Sequence, residues 1–430
     1  GNDSDQDVDN DGITDRCDSD SPVKISDSEV KPLVIEGAGG HSFVYSVSLS
    51  GERMVVGASS IYFGSACIYE RNEAGGWEEI QKLTPSDGAD TTTRFGLSVS
   101  LSGDRVVVGA WNPIIGGRRW KNEPGSAYVY ELNASTGMWE EIQILTASDG
   151  VSSKEYDWFG YDVALSGDRI VVGAPASDVG RNETQGRAHV FELNPSIGVW
   201  EKTQSLTASD GEAADAFGHS VSISGDAVVV GAIYANVGEN TAQGSAYVYT
   251  FAGSTGVWKE IQKLTSSNGG PLDSFGSSVS ISGARIVVRA RYQHIRGSEG
   301  VKFQQGSAYV YALNASDVWE EIQTLTPSNG NEKDVLGKSV SVSSDRVVVG
   351  AVGAVEGTKR YQGRGYVYTL GRTDCDGNGV VDSCEIADGS GDCNSNGLID
   401  ACEILEGTAT DSDGDGLLDV CELRGDLDIK

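Results

Sequence analysis

The stretch FGLSVSLSGDRVVVGA at residues 95–110 decides the fold, because the chain contains six copies of it. A segment that recurs at a nearly constant interval is the sequence signature of a repeat architecture. The copy at residues 159–174 reads FGYDVALSGDRIVVGA. The copy at Phe217 is equally similar, and the copies at Phe43, Phe275 and Leu336 are less similar. The six copies begin at Phe43, Phe95, Phe159, Phe217, Phe275 and Leu336.

Each copy contains four runs that are typical of β-strands. SVSLS alternates, RVVVGA is rich in β-branched residues, and the Ser-Gly-Asp between them predicts a hairpin turn. Two further runs, GSAYVYEL and WEEIQKLT, place an apolar residue at every second position. Helix signals are nearly absent, so the sequence predicts four antiparallel strands in each copy.

Six such units predict an all-β fold, a six-bladed β-propeller, in which the sheets are arranged radially. A linear solenoid is the weaker alternative. The run that begins with tryptophan occurs only five times, and Val30–Ile35 is predicted to replace the missing sixth copy and to close the ring. The predicted domains are an N-terminal tail at 1–27, the propeller at 28–370 and a C-terminal tail at 371–430.

These repeats resemble the FG-GAP family, the repeat of integrin α-subunit propellers, and are most similar to its bacterial branch. The resemblance covers about four-fifths of the chain and implies a propeller with an adhesive role. Integrin propellers have seven blades and hold calcium in Asp-rich loops between the first two strands. Here the corresponding loop is only SGDR, SGER, SGDA or SSDR, so the calcium sites of the family do not carry over.

Calcium chemistry is predicted in the two tails instead. The tract DCDGNGVVDSCE (374–385) has oxygen side chains at loop positions 1, 3, 5, 9 and 12 and glycine at position 6, the spacing with which a twelve-residue loop wraps calcium. Three more tracts repeat this pattern, at residues 392–403, 411–422 and 7–18. The predicted ligands are Asp374, Asp376, Asn378, Asp382, Glu385, Asp392, Asn394, Asn396, Asp400, Glu403, Asp411, Asp413, Asp415, Asp419, Glu422, Asp7, Asp9, Asp11, Asp15 and Asp18.

The tail tracts resemble thrombospondin type 3 and dockerin-like calcium repeats. The formal net charge of the chain is −31, and acidic residues are concentrated in the tails. Without cations such segments repel themselves and stay disordered, which is the alternative to calcium binding. A chain this acidic is not expected to bind nucleic acid. No apolar run is long enough to predict a membrane span.

Six of the seven cysteines lie in the predicted calcium loops, which favours disulfides and an extracellular compartment. The spacing favours Cys375–Cys384, Cys393–Cys402 and Cys17–Cys421, and pairing between adjacent loops is the competing arrangement. Cys67 lies in a predicted strand and is predicted to be a free, buried thiol.

No sequence pattern indicates a catalytic centre, and the chain is predicted not to be an enzyme. The four histidines have no metal-binding spacing, and no nucleophile elbow or phosphate loop occurs. Acids two residues before the Phe-Gly position are predicted to hold their loops by hydrogen bonds: Asp157, Asp215, Asp273 and Asp334.

The predicted function is therefore that of a secreted, non-catalytic, calcium-stabilised propeller in extracellular adhesion or assembly. The alternatives are a lectin-like glycan binder and a carbohydrate-active enzyme. A glycan binder is expected to show aromatic residues at equivalent positions of several upper loops, those that follow VVVGA or WEEIQKLT. Trp111 and Trp120 occur in one copy and do not recur.

The predicted partner is a second copy of the chain, or else a matrix or cell-surface molecule. Both acidic tails are expected on the lower face, and basic residues are expected in upper loops. Opposite charges on two faces favour head-to-tail contacts and filaments. The basic positions are Arg118, Arg119, Lys121, Arg291, Arg296, Lys302, Lys359, Arg360 and Arg364.

Overall fold

A computed structural model gives the fold, and the larger of its two compact units comprises Ser26–Ser344 with Val348–Gly365. No helix occurs in the part of the chain that the structure describes, so none there could cross a membrane. The described residues are 43–59, 64–72, 75–88, 94–111, 125–147, 157–293, 295–297, 300–302, 306–314, 316–326, 336–343, 346–351 and 364–369.

Each of the first five copies folds into one antiparallel four-stranded sheet, in which the strands follow one another in chain order. Blade 1 contains β1 (Phe43–Ser50), β2 (Arg53–Ser59), β3 (Gly64–Arg71) and β4 (Trp77–Leu83). Blade 2 contains β5 (Val99–Ser102), β6 (Arg105–Ala110), β7 (Ser126–Asn133) and β8 (Met138–Leu145). Blade 3 contains β9 (Val163–Ser166), β10 (Arg169–Ala174), β11 (Arg187–Asn194) and β12 (Val199–Leu206).

Blades 4 to 6 continue this pattern. Blade 4 contains β13 (Phe217–Ser224), β14 (Ala227–Ala232), β15 (Ser245–Ala252) and β16 (Val257–Leu264). Blade 5 contains β17 (Phe275–Ser282), β18 (Arg285–Ala290), a short hairpin of β19 (Ile295–Gly297) and β20 (Gly300–Lys302), β21 (Ser307–Leu313) and β22 (Trp319–Leu325). Blade 6 has three described strands, β23 (Leu336–Val342), β24 (Arg346–Ala351) and β25 (Arg364–Thr369).

The predicted all-β fold, a six-bladed β-propeller, is confirmed. The predicted closing strand, Val30–Ile35, lies outside the described residues, as do both predicted tails. The hydrophobic core lies between the blades, where each cluster joins two successive sheets. The phenylalanine that opens each of copies 2 to 5 is completely buried in such a cluster, and its burial contributes about 2–3 kcal/mol.

The Phe-Gly pair explains how closely the blades approach. A Cβ atom on Gly173 of blade 3 would lie 2.1 Å from the carbonyl oxygen of Gly218 in blade 4. Gly57, Gly109 and Gly231 occupy the same position in the other blades and meet the next Phe-Gly pair in the same way. Only glycine fits at these four contacts without a shift of the backbone.

Serine side chains join the innermost strands. The backbone N–H groups of Val99 and Leu101 in β5 donate to the hydroxyl oxygens of Ser46 and Ser48 in β1, at 3.1 and 3.0 Å. The same bonds recur between later blades, for example from Leu165 to Ser100 at 2.9 Å. An innermost strand has no further strand to pair with, so these hydroxyls satisfy N–H groups that would otherwise lack a partner. The alternating serines of SVSLS are therefore a hydrogen-bond ladder.

Glutamine side chains join the outermost strands in a similar way. Gln143 of β8 donates from Nε2 to the carbonyl oxygen of Trp200 and accepts from the backbone N–H of Trp200, both at 2.8 Å. Gln81, Gln204 and Gln262 form the same paired contact with the tryptophan of the next blade. The side-chain amide of the glutamine in WEEIQ thus pairs with both backbone groups of the tryptophan, as a peptide group of a neighbouring strand would.

The Ser-Gly-Asp turns form ion pairs between blades. Arg105 of blade 2 binds Asp168 in the turn of blade 3 at 2.6 Å, and its guanidinium carbon lies 5.8 Å from the ring centre of Trp200. Arg53 pairs with Asp104, and Arg169 pairs with Asp226, in the same geometry. Between blades 4 and 5 both partners are absent together, since Ala227 replaces the arginine and Ala284 replaces the aspartate.

Candidate functional site

The predicted calcium ligands all lie outside the described residues, so calcium binding in the tails stays a prediction. Within the described ranges no group of three or more His, Cys, Asp or Glu residues could hold a metal ion. Cys67, the one cysteine in those ranges, is free, as predicted, but it is partly exposed rather than buried. Desolvation raises the pKa of its thiol to about 11, which keeps it protonated at neutral pH.

The predicted loop-holding acids are confirmed where their side-chain contacts are described. Asp215 accepts a hydrogen bond from the backbone N–H of Glu212 at 2.7 Å, and Asp273 accepts one from Gly270 at 2.7 Å. Asp334 lies outside the described residues. Of the nine predicted basic positions, only Arg291 has a described side chain; it is exposed, and its guanidinium carbon lies 4.9 Å from the ring centre of Tyr292.

A group of side chains, of which only Trp111 was named in the sequence analysis, meets where the chain enters the innermost strands. Trp111, Trp158, Tyr161 and His219, here called the aromatic cluster, come from blades 2, 3 and 4. The ring centre of Trp111 lies 5.1 Å from that of Trp158 and 5.3 Å from that of Tyr161. Tyr161 in turn lies 4.9 Å from His219, and its hydroxyl is 3.1 Å from His219 Nε2. Aromatic rings at these separations attract one another.

The repeat explains the position of each member of the aromatic cluster. Trp158 precedes Phe159-Gly160, and its φ of 56° is shared by Ala216 and Ser274 at the equivalent positions of blades 4 and 5. The left-handed backbone therefore recurs in blades 3 to 5, whereas only blade 3 of these has a tryptophan at this position. Tyr161 and His219 are equivalent to each other, and blades 2 and 5 have Leu97 and Ser277 there.

The aromatic cluster is partly open to solvent. Trp158 is 37% exposed, while Trp111, whose ring contacts it, is only 8% exposed. Tyr161 and His219 are partly buried. Tyr234, which follows β14, is 52% exposed, and its phenol is close enough to affect the pKa of Tyr161. Trp158 and Tyr234 thus present exposed ring surface, and Trp111, Tyr161 and His219 are the more buried rings.

Asp162 lies beside the aromatic cluster and replaces a serine of the ladder. Its Oδ1 accepts a hydrogen bond from Ser98 Oγ at 2.6 Å, and its Oδ2 accepts one from the backbone N–H of Val221 at 2.8 Å. Desolvation of the enclosed carboxylate outweighs these bonds and raises its pKa to about 6. Asp162 therefore links three innermost strands and changes its charge close to neutral pH.

Three arginines, Arg94, Arg289 and Arg291, lie near the aromatic cluster. Desolvation, together with the charges of Arg291 and Arg289, lowers the pKa of His219 to about 4. The guanidinium carbon of Arg94 lies 5.0 Å from the ring centre of Trp111, a cation–π contact. Desolvation and the carboxylate of Asp162 raise the pKa of Tyr161 to about 12, against the opposing charges of Arg291 and Arg94. Histidine is consequently neutral here at physiological pH.

Three buried polar atoms of this region have no hydrogen-bond partner among the described residues: Arg94 Nε, Trp111 Nε1 and His219 Nδ1. Where Tyr161 donates its hydroxyl proton to Nε2, the proton of the neutral imidazole is on Nδ1, so all three atoms are then donors. Buried donors are nearly always satisfied in folded proteins, and exceptions indicate a bound molecule or a functional role. These donors and the aromatic cluster together form a candidate binding site.

The sequence contains a signal for this cluster, but it differs from the pattern that was expected of a glycan binder. A glycan binder was expected to repeat its aromatic residues at equivalent positions. The structure instead brings together non-equivalent positions of neighbouring blades, so that Trp111 meets Trp158. The useful signal is departure from the repeat, as at Trp158, Asp162 and His219.

Comparisons with known proteins agree with the repeat architecture. A family model described as FG-GAP repeat matches residues 77–130, 139–191, 200–249, 258–311 and 319–368. None of the curated proteins matches the chain.

Three solved structures are similar to the chain at low identity. The first, a protein from Lactobacillus plantarum, is 13% identical with a TM-score of 0.42, and the match covers 73% of this chain and 79% of that one. A putative 6-phosphogluconolactonase from Bacteroides uniformis is 11% identical with a TM-score of 0.46, covering 71% and 77%. The periplasmic gluconolactonase of Pseudomonas aeruginosa is 13% identical with a TM-score of 0.42, covering 76% and 85%.

The prediction that the chain is not an enzyme is contradicted by these names. Two of the three similar propellers are named as enzymes, so the lack of a familiar catalytic motif was not sufficient grounds for excluding catalysis. The likeness concerns the fold alone and assigns no reaction to this chain.

Proposed function

Because the chain belongs to the FG-GAP repeat family of β-propellers, we propose that it is an extracellular adhesion module that binds carbohydrate at the aromatic cluster. The observation that carries this proposal is the contact of the exposed ring of Trp158 with the rings of Trp111 and Tyr161. Ligand sites combine aromatic surface with a few fixed polar groups, and this region has both.

The chemistry of the region suits a sugar ring. The apolar face of a pyranose can lie on an exposed aromatic ring, and its hydroxyls need nearby donors and acceptors. Trp158 supplies exposed ring surface, while His219 Nδ1 and Arg94 Nε supply donors that lack partners among the described residues. Asp162 supplies an acceptor on the same innermost strands. His219 lies in β13, and Trp111 and Tyr161 lie close to the ends of β6 and β9, which limits how far these three rings move when a ligand binds.

A glycan array followed by calorimetry tests the proposal with the full chain in calcium. Trp158→Ala should remove most binding, since it deletes the exposed ring without opening the core. Ile197→Ala is the matched control, because Ile197 is 62% exposed and lies in a turn of blade 3 away from the cluster. Absence of binding to any glycan, or equal binding by both variants and the wild type, would overturn the proposal.

The extracellular setting and the calcium-bound tails are part of the same proposal. They are supported by the six cysteines within four acidic loops of calcium-binding spacing. Calorimetry should show at least two bound calcium ions per chain, and mass spectrometry of the unreduced protein should show three disulfides. Head-to-tail assembly through these tails stays a prediction, tested by light scattering at saturating calcium and low salt.

A second candidate function, a carbohydrate-active enzyme, is favoured by Asp162. A carboxyl group with a pKa of about 6 beside the proposed sugar site has the protonation behaviour of a general acid or base. Hydrolysis of glycans or sugar lactones that depends on pH near 6 and is lost in Asp162→Asn would favour the enzyme. Binding without turnover would favour the adhesion module.

A further inference from the structure

Arginine side chains flank the aromatic cluster from two directions. Arg94 of blade 2 stacks on Trp111, and Arg291 of blade 5 is close enough to His219 and Tyr161 to affect the pKa of both. Neither arginine forms an ion pair with any of the residues that the structure describes. The arginines of the Ser-Gly-Asp turns, in contrast, each bind two carboxylates.

The repeat indicates that these charges are specific to the site. Arg94 occupies the position of Trp158, Ala216 and Ser274 in the next three blades. Arg291 occupies the position of Trp111, Pro175 and Ile233. Neither position therefore requires a cation for folding. The two arginines and the two tryptophans of the cluster, Trp111 and Trp158, therefore occupy the same two repeat positions.

A third arginine strengthens the positive charge at blade 5. Arg289 replaces the glycine that blades 1 to 4 use for close contact with the next Phe-Gly pair, and it is only 2% exposed. Desolvation lowers its pKa to about 9, and the nearby charge of Arg291 contributes to this shift. Its guanidinium remains largely protonated at neutral pH. Burying a charged guanidinium costs free energy, and blade 5 carries this cost where blades 1 to 4 have glycine.

Two acids lie beside the cluster. Asp162 is close enough to Tyr161 to affect its pKa, and the raised pKa of Asp162 itself leaves part of it protonated near pH 6. Asp157 directly precedes Trp158 in the chain. Arg94, Arg289 and Arg291 outnumber these two acids. The local field therefore favours an anion, although the chain as a whole carries a net charge of −31.

We propose that the ligand of the aromatic cluster is an anionic sugar, with its ring on Trp158 and Tyr161 and its anionic group on Arg291 and Arg94. This inference rests on the proposed carbohydrate function and specifies its ligand class. Guanidinium groups bind carboxylate and sulfate in paired hydrogen bonds, and such charge-assisted bonds are stronger than neutral ones. A carboxylated sugar and a sulfated sugar share this chemistry.

The experiment uses an array that holds neutral, carboxylated and sulfated versions of the same glycans, probed with the full chain in calcium. The anionic versions should bind and their neutral counterparts should not. Affinity should fall as salt rises. The carboxylated and sulfated sets distinguish the two sources of charge, and free glucuronate and inorganic sulfate as competitors show whether the sugar ring is needed.

Arg291→Gln is the central variant, because Arg291 is exposed and its removal leaves the core intact. It should weaken binding of the anionic glycan about tenfold or more, and Arg94→Gln should also weaken it. Arg181→Gln is the matched control, since Arg181 is exposed in an upper loop of blade 3 and does not touch the cluster. Melting temperature and circular dichroism show whether each variant is folded.

The outcomes separate the two proposals. Equal binding of neutral and anionic glycans, unchanged in Arg291→Gln but lost in Trp158→Ala, would overturn the anionic ligand and keep the carbohydrate function. No binding to any glycan would overturn both. Binding of inorganic sulfate alone, with no preference for a sugar, would also contradict the anionic-sugar inference.

Discussion

The contacts between successive blades repeat with little change, whereas the positions around each Phe-Gly pair differ from blade to blade. The bidentate glutamine contact occurs at four successive junctions with distances of 2.7–2.9 Å. The residue before Phe-Gly, in contrast, is Arg94, Trp158, Ala216 and Ser274 in blades 2 to 5. The backbone at the last three of these positions is nevertheless nearly identical, with φ of 55–56°.

The difference separates two kinds of constraint. A side chain that recurs at every junction satisfies a need that every junction has, such as an unpaired N–H group or a gap between sheets. A side chain that occurs once on an otherwise repeated backbone has no such structural reason. In a repeat protein, function is therefore best sought where one copy departs from the others and its backbone does not.

The largest effect should come from filling a repeated contact. Gly173→Ala places a methyl group 2.1 Å from the carbonyl oxygen of Gly218, so two blades must separate. We expect a loss of about 3 kcal/mol or more in the free energy of unfolding. Gly253→Ala is the control, since nothing lies within 4 Å of its added carbon. Denaturant titration measures both, and equal stabilities would contradict the close-contact explanation.

Removing a glutamine bridge should have the next largest effect. Gln143→Ala leaves both backbone groups of Trp200 without their partners, which should cost about 2–3 kcal/mol. Ile142→Ala, one residue away, removes a side chain that is 42% exposed and should change stability by less than about 1 kcal/mol. If the two variants unfold at the same denaturant concentration, the bridge is not a stabilising contact.

Replacing Asp162 with serine, the residue of blades 2, 4 and 5 at this position, should change how stability depends on pH. The folded state raises the pKa of this carboxyl from 3.8 to about 6, so the protonated form favours folding. That contribution is complete below about pH 3.8 and is lost as pH rises through about 6. Asp162→Ser should remove this decline and gain on the order of 2 kcal/mol relative to the wild type at pH 7.

The measurement is the difference in free energy of unfolding between wild type and Asp162→Ser from pH 4 to 7. His219, with its lowered pKa, acts with the opposite sign: its contribution is present above about pH 6.5 and is lost as pH falls through about 4. It is present in both proteins and cancels in the difference. A difference that does not vary with pH would show that Asp162 has an ordinary pKa.

The smallest effect should come from adding the ion pair that the junction of blades 4 and 5 lacks. Ala227→Arg with Ala284→Asp recreates the Arg105–Asp168 geometry and should stabilise the protein by about 0.5–1 kcal/mol, as expected for a partly exposed pair. A double-mutant cycle isolates the pairwise energy. Single variants that stabilise as much as the double variant would exclude an interaction between the two residues.

Sequence reasoning predicted the parts of the fold that depend on local pattern. Alternation and turn residues were sufficient for the strands, because these signals lie within one copy, and the number of copies was sufficient for the blade count. The partners of Gln143 and Ser98 could not be predicted, because their hydrogen bonds join residues 57 and 65 positions apart. The aromatic cluster was missed for the same reason. Trp111 and Trp158 become neighbours only once the sheets are placed side by side.

The serine ladder has a consequence for how such chains change in length over time. Blades 1 to 5 offer hydroxyl acceptors on one side and blades 2 to 6 offer N–H donors on the other, so the serine ladder by itself lets one of these blades follow another in the same orientation. A duplicated gene segment that encodes one whole copy would therefore produce a unit whose two faces already fit their new neighbours. The junctions place no limit on blade number, which leaves that limit to the geometry of closing the ring. Relatives with different numbers of blades can thus arise by unequal recombination without any new interface having to evolve.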